Sequence, residues 1–323
     1  MEIAAAMSDK EKYRQVCAKF NLPVFMQEWW MDAVCGPANW MPVLAFDGGG
    51  ETEAVMLCYF FRKWKFNFII PAPFTPFSGI WIRPLHQELK AHALGQREID
   101  LSTQLISKLP SSYFFIQQFH YSFQNWLSFF WKDFKQTTRY TYVLEDLNNL
   151  DKVYNDFKGN IRTAIKKAES TLKVENSEDA AIVFDLISTS LSRKQVRLPL
   201  SKEKFLNLDK ELDSKHSRKI YLACDEENHI HAAIYTIWDA STTYLLLSGV
   251  NKVHQNTTAL SLLIWKAIQD AAVRGHNFDF EGSTLPHIEP FFRSFGGERK
   301  SYFRISKAKN KFWEVLFLIL GKS

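Results

Sequence analysis

The sequence of 323 residues is poor in the features that mark several common classes of protein. It has only four cysteines (17, 35, 58 and 224), without CxxC spacing, so it indicates neither a disulfide framework nor a cysteine zinc site. The nine histidines show no spacing typical of zinc ligands. We therefore predict that the chain binds no metal. Because no signal peptide is recognisable, we also predict a reducing, cytoplasmic location.

Long apolar runs, a strong net charge and the common catalytic motifs are also missing. The most apolar stretch, residues 312–320, is about half a membrane span, so we predict a packed terminal helix or strand, with peripheral membrane contact as the alternative. A net charge of +5 is too small to indicate an RNA-binding protein. No serine elbow, Cys–His signature or Walker loop is present, which excludes the hydrolases and nucleotidases that depend on them.

The sequence does contain a large apolar fraction, 46%, and its apolar residues follow the periodicity of helices in some segments and of strands in others. The length predicts about two domains, and the patterns predict an α/β fold. In the first half, short strand-like runs surround a glycine turn at 47–50 and a proline-rich loop at 71–76. The second half predicts, in this order, strands at 219–224, 231–238 and 242–250, a helix at 257–275, a strand at 277–283, a short helix from Pro286 and a strand at 301–306.

The segment 275–307 carries the most chemical information. Phe278 and Phe280 alternate with Asp279 and Glu281, and alternate residues of a strand share a face. This pattern predicts one aromatic face and one acidic face at the carboxyl end of a strand, where open α/β sheets bind ligands. Further on, Glu289 and Arg293 are spaced to share a helix face, so the alternative is a purely structural network of carboxylates and arginine.

The same segment resembles the FemAB/FemX-like branch of the GNAT acyltransferases, which includes the peptidoglycan-bridge aminoacyltransferases once called methicillin-resistance proteins. The matching residues are Ala271 and Gly275 at a helix end, Asp279, Phe280 and Gly282 in a strand, and then Phe292, Arg293, Phe295, Gly296, Gly297 and Tyr302. Residues 160–168, with Asn160, Arg162, Lys166 and Lys167, resemble a second motif of the family, and the strand 142–144 resembles a third.

The resemblance implies tandem GNAT-like domains, at 1–145 and 146–308, with a tail at 309–323 that packs on the first domain. It implies an amide-forming acyl- or aminoacyltransferase that acts on an amine, with a nucleotide- or lipid-linked cell-wall precursor as the candidate acceptor. No tightly bound cofactor is expected, and the donor is either an aminoacyl-tRNA or an acyl-CoA. The alternatives are an acyl-CoA-dependent N-acetyltransferase and an inactive GNAT-like binding module.

The choice of donor depends on the stretch 249–259, which contains no glycine after Gly249. Standard GNAT enzymes have a glycine-rich loop there, whose backbone N–H groups hold the pyrophosphate of CoA, so we predict weak binding of acetyl-CoA. The residues that remain for a cofactor phosphate are Gly249, Asn256, Thr257 and Thr258.

Two residues are assigned catalytic roles. We predict that Glu281 is the base or orients the amine, and that Arg293 stabilises negative charge. The family commonly has lysine where this chain has Arg293, which leaves the substrate open. The residues predicted to bind substrate are Asp279, Ser283, Glu289, Arg162, Lys166 and Lys65; for the last three, a solvated surface role is the alternative.

Overall fold

The computed structural model describes residues 7–85, 88–192, 198–251, 253, 258–282, 285, 286 and 288–319. Contacts group the chain into two units: unit 1 comprises residues 1–139 and 301–323, and unit 2 comprises residues 140–300. The predicted boundaries at 145 and 308, and the separate tail from 309, stay predictions. The predicted mixture of helices and strands is confirmed in both units.

Unit 1 contains one mixed sheet with helices on both of its faces. Its strands are β1 (Trp40–Phe46), β2 (Thr52–Lys63), β3 (Phe66–Ile70), β4 (Ile80–Ile82), β5 (Phe114–Gln118), the first half of β6 (Lys135–Leu144) and most of β12 (Glu298–Ala308). Its helices are α1 (Asp9–Lys19), α2 (Glu28–Cys35), α3 (Ala91–Ser107), α4 (Leu127–Phe130) and α11 (Lys311–Ile319), with a 3₁₀ turn at Val24–Met26.

The strands of unit 1 follow the order β1-β2-β3-β5-β12. All neighbours are antiparallel except β3 and β5, which are parallel. Successive residues alternate between the two faces, so Ile69 and Phe115 pack under α3, while Phe68 and Phe114 pack under α11. The apolar stretch from residue 312 is therefore a helix, which decides between the predicted helix and strand.

The strands of unit 2 follow the order β7-β8-β9-β10-β11-β6. Only β10 and β11 are parallel neighbours. The strands are β7 (Lys173–Ser177), β8 (Arg218–Cys224), β9 (Ile230–Trp238), β10 (Thr242–Val250) and β11 (Asn277–Asp279). The helices are α5 (Leu150–Asp156), α6 (Gly159–Glu169), α7 (Ala180–Ser192), α8 (Lys202–Ser214), α9 (Ala259–Arg274) and α10 (Glu289–Arg293).

Helix α9 forms the centre of the unit 2 core. Leu263, Ile264, Ala267 and Ile268 are fully buried there, at the spacing of one helix face. The helix ends where the sequence predicts, because Gly275 adopts the left-handed conformation that closes a helix at little steric cost. The strand that follows α9, β11, lies next to β10 in the sheet and runs parallel to it.

One predicted strand is shorter than expected. The prediction of a strand over 277–283 is wrong beyond Asp279, where β11 ends. Glu281 and Gly282 both adopt positive φ angles, of 54°, which no strand residue adopts. Asp279 and Glu281 therefore do not share a strand face, although Phe278 and Phe280 both enter the core as predicted.

Candidate active site

The two parallel strands at the centre of unit 2 separate soon after they meet. Strand β11 pairs with β10 only from Thr242 to Tyr244. Beyond Tyr244, β10 stays paired with β9 as far as Val250, but in the described part of the chain no strand pairs with its other edge. The opening lies at the carboxyl ends of both parallel strands, which is the edge where α/β sheets bind ligands.

A strained turn follows β11 at this edge. A side chain at position 282 would place its Cβ 2.2 Å from the carbonyl oxygen of Tyr140, so only glycine fits. Glu281 does carry a side chain, so its positive φ costs free energy that the surrounding structure must supply. Part of that support is Asp279, whose Oδ1 accepts hydrogen bonds from the Glu281 backbone N–H (2.7 Å) and the Thr141 hydroxyl (2.5 Å).

The two carboxyl groups of this turn are held away from water. Asp279 is fully buried and Glu281 is half-buried, with its Oε1 completely covered. Neither the second oxygen of Asp279 nor Oε1 of Glu281 has a hydrogen-bond partner among the described residues. A buried oxygen without a partner is costly, so these two atoms are the groups in the turn most ready to accept a ligand or a proton.

Burial also changes the proton affinity of both groups. Desolvation raises the pKa of Asp279 to about 7, and the nearby Asp239 adds to the effect. Desolvation raises the pKa of Glu281 well above its usual range, and repulsion from Asp279 raises it further. Because the two groups interact, they titrate as a pair that holds at least one proton near neutral pH.

Arg293 lies in a different environment. Its side chain is 62% exposed, and its Nε donates a hydrogen bond of 2.9 Å to Glu289 Oε1. Glu289 also accepts a hydrogen bond from the Tyr142 hydroxyl. A cavity of about 200 Å³ beside Arg293 is lined by Asp156, Lys158, Pro290, Arg293 and Ser294. Glu281 does not line this cavity, so the structure does not bring the two predicted catalytic residues together there.

The comparison with protein families gives this unit its classification. A family model described as an acetyltransferase (GNAT) domain matches residues 155–292, which include α6 to α9, β7 to β11 and most of α10. Over residues 155–292 the chain is therefore similar to a GNAT domain. The turn after β11 lies inside the matched region, and so do all the predicted site residues except Lys65 and Arg293; Arg293 directly follows the matched region.

Three solved structures share the fold over nearly the whole chain. FemX aligns with a TM-score of 0.65 at 13% identity, over 97% of this chain and 98% of its own. L-PGS from Bacillus licheniformis aligns at 0.55 and 11% identity, over 100% and 99%. The C-terminal domain of a putative lysylphosphatidylglycerol synthetase from Agrobacterium fabrum aligns at 0.51 and 11% identity, over 96% and 94%.

These comparisons confirm the predicted GNAT-like fold, the resemblance to FemX and the prediction of an acyltransferase. At such low sequence identity, the solved structures establish the fold and leave the substrates to be determined. No curated protein sequence matches the chain. Among the described residues, none of the helices combines the length and apolar character needed to cross a membrane.

The basic residues predicted to bind substrate are placed on surfaces. In the GNAT-like region, α6 buries Ile161 and Ile165, while Lys166 is exposed. Arg162 is half-buried, and its Nη1 donates a hydrogen bond of 2.5 Å to the carbonyl oxygen of Asn155. Lys65 lies in unit 1, exposed in the turn between β2 and β3. Their roles in binding stay predictions.

The four residues predicted to bind a cofactor phosphate are only partly described. Gly249 is buried, and an added Cβ would lie 2.9 Å from the Ile187 side chain, so packing against α7 already requires glycine. Thr258 immediately precedes α9, and its carbonyl oxygen accepts hydrogen bonds from Ser261 and Leu262. Asn256 and Thr257, together with Ser283 from the substrate set, lie outside the described residues.

Sequence reasoning missed two residues of β6. Thr141 donates a hydrogen bond to Asp279, and Tyr142 donates one to Glu289. Both contacts join residues more than 130 positions apart, and they form because β6 pairs with β11 at Val143 and Leu144. The strand at 142–144 is recognisable in the sequence, but its pairing with β11 has no local signal.

Proposed function

We propose that this chain forms amides by transferring an acyl or aminoacyl group from an activated donor to an amine, at the turn that follows β11. The observation that carries the proposal is the pair of buried carboxyl groups, Asp279 and Glu281, beside the opening between β10 and β11 in the GNAT-like region. Asp279, with a pKa of about 7, can take up a proton that Glu281 passes on, so the pair as a whole is suited to accept a proton from an attacking amine near neutral pH.

The two carboxyl groups have different positions in this scheme. Asp279 is inaccessible, so it is a positioning residue that fixes the Glu281 backbone and shares its proton. Glu281 is half-buried and retains a covered oxygen without a described partner, so it is the member that contacts the acceptor amine. The strained backbone at Glu281 supports this assignment, because strain of this kind is concentrated at functional sites.

The proposed reaction is a direct attack. The acceptor nitrogen bonds to the donor carbonyl carbon, and the bond from that carbon to the leaving sulfur or oxygen breaks. The proton lost by the nitrogen passes to Glu281, whose own proton moves to the ionised Asp279. A proton then returns from the pair, through Glu281, to the leaving thiolate or alkoxide. Much of the rate then comes from holding donor and acceptor in contact.

Arg293 has a supporting role in this proposal. It shares its cavity with Lys158, and the two cations outnumber the single acid, Asp156. Such a cavity suits a carboxylate or phosphate on a part of the substrate that does not react. A nucleotide- or lipid-linked cell-wall precursor, as the resemblance to the FemX-like branch implies, carries such groups.

The donor is proposed to be an aminoacyl-tRNA, with acyl-CoA as the alternative. The stretch 249–259 lacks the glycines that let a backbone approach a pyrophosphate closely, and Gly249 is already committed to packing on α7. Calorimetry with acetyl-CoA tests the ranking: micromolar affinity would reverse it. Weak binding of acetyl-CoA, together with transfer from charged tRNA, would support it.

The decisive experiment measures amide formation by the full chain. Labelled acetyl-CoA and labelled aminoacyl-tRNA are each offered with simple amines and with nucleotide- and lipid-linked muramyl peptides. We expect transfer with one donor, and we expect Glu281→Gln to slow turnover by about 10²- to 10⁴-fold, the usual contribution of a general base.

Glu211→Gln is the matched control, because Glu211 is an exposed carboxylate on α8 in the same unit. It should transfer at the rate of the unmodified chain. If the full chain binds neither donor and forms no amide, it is an inactive binding module. If Glu281→Gln transfers normally, the base lies elsewhere.

A further inference from the structure

The turn between β2 and β3 in unit 1 exposes a tryptophan at a position where its backbone is strained. Lys63 pairs with Phe66, so Trp64 and Lys65 form a two-residue hairpin turn. Trp64 has a φ of 54°, a conformation that glycine usually supplies in such turns, and its side chain is 85% exposed. The stability of the fold therefore explains neither the tryptophan at position 64 nor the exposure of its side chain to solvent.

Helix α11, on the same unit, is apolar on two opposite sides. One side is buried: Trp313 packs on Phe68 with ring centroids 5.5 Å apart, and Phe317 stacks on Phe114 at 3.9 Å. The other side carries Phe312, 68% exposed, and Val315, 54% exposed, one turn apart. A helix that needed only to cover the sheet would have polar residues at these two positions.

The hairpin turn and α11 belong to one surface. In the register of β2 and β3, Phe61 lies opposite Phe68, which α11 covers, so Phe61 points to the same face. Phe66 joins the two segments, because its ring is 4.8 Å from Trp313 and 5.9 Å from the Lys65 ammonium. The aromatic–basic surface is therefore defined by Phe61, Lys63, Trp64 and Lys65 and by Lys309, Lys311, Phe312 and Val315.

The charges on this surface have one sign. Its ionisable residues are cations, all of them exposed: Lys63, Lys65, Lys309 and Lys311. The acids described near α11 are Asp133 and Glu314, and they line a cavity with three lysines, Lys135, Lys307 and Lys311, the last of which also belongs to the surface. Glu314 forms an ion pair with Lys135. Two copies of the chain that met through this surface would bring like charges together, which disfavours self-association.

We propose that the aromatic–basic surface of unit 1 binds the headgroup region of a membrane that contains anionic lipids. Exposed tryptophan and phenylalanine are stable at the interface between headgroups and acyl chains, where the ring is desolvated and the polar edge stays wet. The surrounding lysines add attraction to anionic headgroups, each contributing roughly fivefold in affinity. The attachment is peripheral, and it does not depend on acyl transfer.

The test is sedimentation of the full chain with vesicles of phosphatidylcholine alone, or of equal parts phosphatidylcholine and phosphatidylglycerol. We expect binding only to the anionic vesicles, and we expect it to weaken as salt is raised. Trp64→Gly suits the backbone at position 64, so it should fold at least as stably as the unmodified chain, yet bind roughly tenfold more weakly.

Matched variants distinguish vesicle binding through this surface from non-specific vesicle binding. Trp131→Ala removes another exposed tryptophan of unit 1 and should bind as the unmodified chain does. The double variant Lys63→Glu with Lys65→Glu should lose binding, whereas Lys204→Glu with Lys210→Glu, the same charge change on α8, should keep most of it. Fluorescence quenching by brominated acyl chains should fall in Trp64→Gly.

Three results would overturn the proposal. The first is equal binding to neutral and anionic vesicles, or to neither. The second is unchanged binding by both Trp64→Gly and the Lys63, Lys65 double variant. The third is an oligomer in solution that Trp64→Gly dissociates, which would show that a second copy covers this surface.

Discussion

The two units share a run of elements but differ in the polar residue buried near the end of one strand. In unit 1, β1 to β3 and the short β4 precede the long helix α3 and β5, which is parallel to β3; in unit 2, β8 to β10 precede α9 and β11, which is parallel to β10. Gln117, the residue before the last of β5, is a buried amide, whereas Asp279, the last residue of β11, is a buried acid. The corresponding strands of the two units therefore bury polar groups of different charge.

The hydrogen bonds at the two strand ends explain the difference. Gln117 donates to the Leu57 carbonyl and accepts from the Ser78 hydroxyl, so both ends of its amide have partners. Asp279 has partners at one oxygen only, and burial raises its pKa. Unit 1 thus uses its strand end for stability, while unit 2 keeps an unsatisfied group there.

The largest expected effect on the free energy of unfolding comes from replacing Asp279, at the end of β11, with a neutral residue. The pKa of Asp279 rises from its ordinary 3.8 to about 7 on folding, so the folded chain holds a proton that the unfolded chain releases between these values. This group therefore costs stability as pH rises from about 4 to 7, by at most about 4 kcal/mol. Asp279→Asn should remove that loss.

The measurement is the free energy of unfolding by denaturant at several pH values from 4 to 8. The advantage of Asp279→Asn over the unmodified chain should grow as pH rises, whatever constant cost the new amide adds. The exposed Asp151→Asn serves as the control and should show no such trend. Parallel curves for all three proteins would mean that Asp279 is ionised normally.

The reverse change introduces an acid into unit 1. Gln117→Glu removes the donor to the Leu57 carbonyl and buries a carboxylate beside that oxygen, so unfolding should become easier by about 2–3 kcal/mol. The control is Gln15→Glu, on the exposed side of α1. Turnover per folded molecule should not change; a fall in turnover at full stability would show that unit 1 also contributes to the reaction.

The smallest effect concerns Arg293, which distinguishes α10 from its counterpart α4 (127–130), a helix without a cation. If Arg293 anchors a substrate anion, Arg293→Ala should raise KM about tenfold, or about 1.4 kcal/mol, while the turnover rate stays nearly constant. If turnover instead slows by about 10²- to 10³-fold, the result would support the oxyanion role that the sequence suggests.

Stability should hardly respond to this change, because Arg293 is exposed and its ion pair with Glu289 is a helix-surface pair. Lys266→Ala removes a cation from a similar pair, with Asp270 on α9, and is the control for both measurements. Arg293→Lys should restore part of the lost affinity, since the charge is retained while the planar fork is lost.

Local patterns predicted much of this molecule. The apolar spacing and the terminal Gly275 located α9, and the i, i+4 spacing anticipated the pairing of Glu289 with Arg293. The end of β11 escaped prediction because a positive φ at Glu281 is rare for a residue with a side chain. Thr141 escaped because its contact with Asp279 depends on a pairing of distant strands.

The late position of β12 and α11 in the chain has a consequence for synthesis on the ribosome. Residues 304–308 complete the sheet beside β5, and Trp313 and Phe317 cover Phe68 and Phe114. Until those last residues emerge, the growing chain exposes the β5 edge and a row of uncovered aromatic rings, and both invite aggregation. Unit 1 is therefore the first unit to begin translation and the last to be completed. We expect a chaperone that binds nascent chains to bind mainly to unit 1.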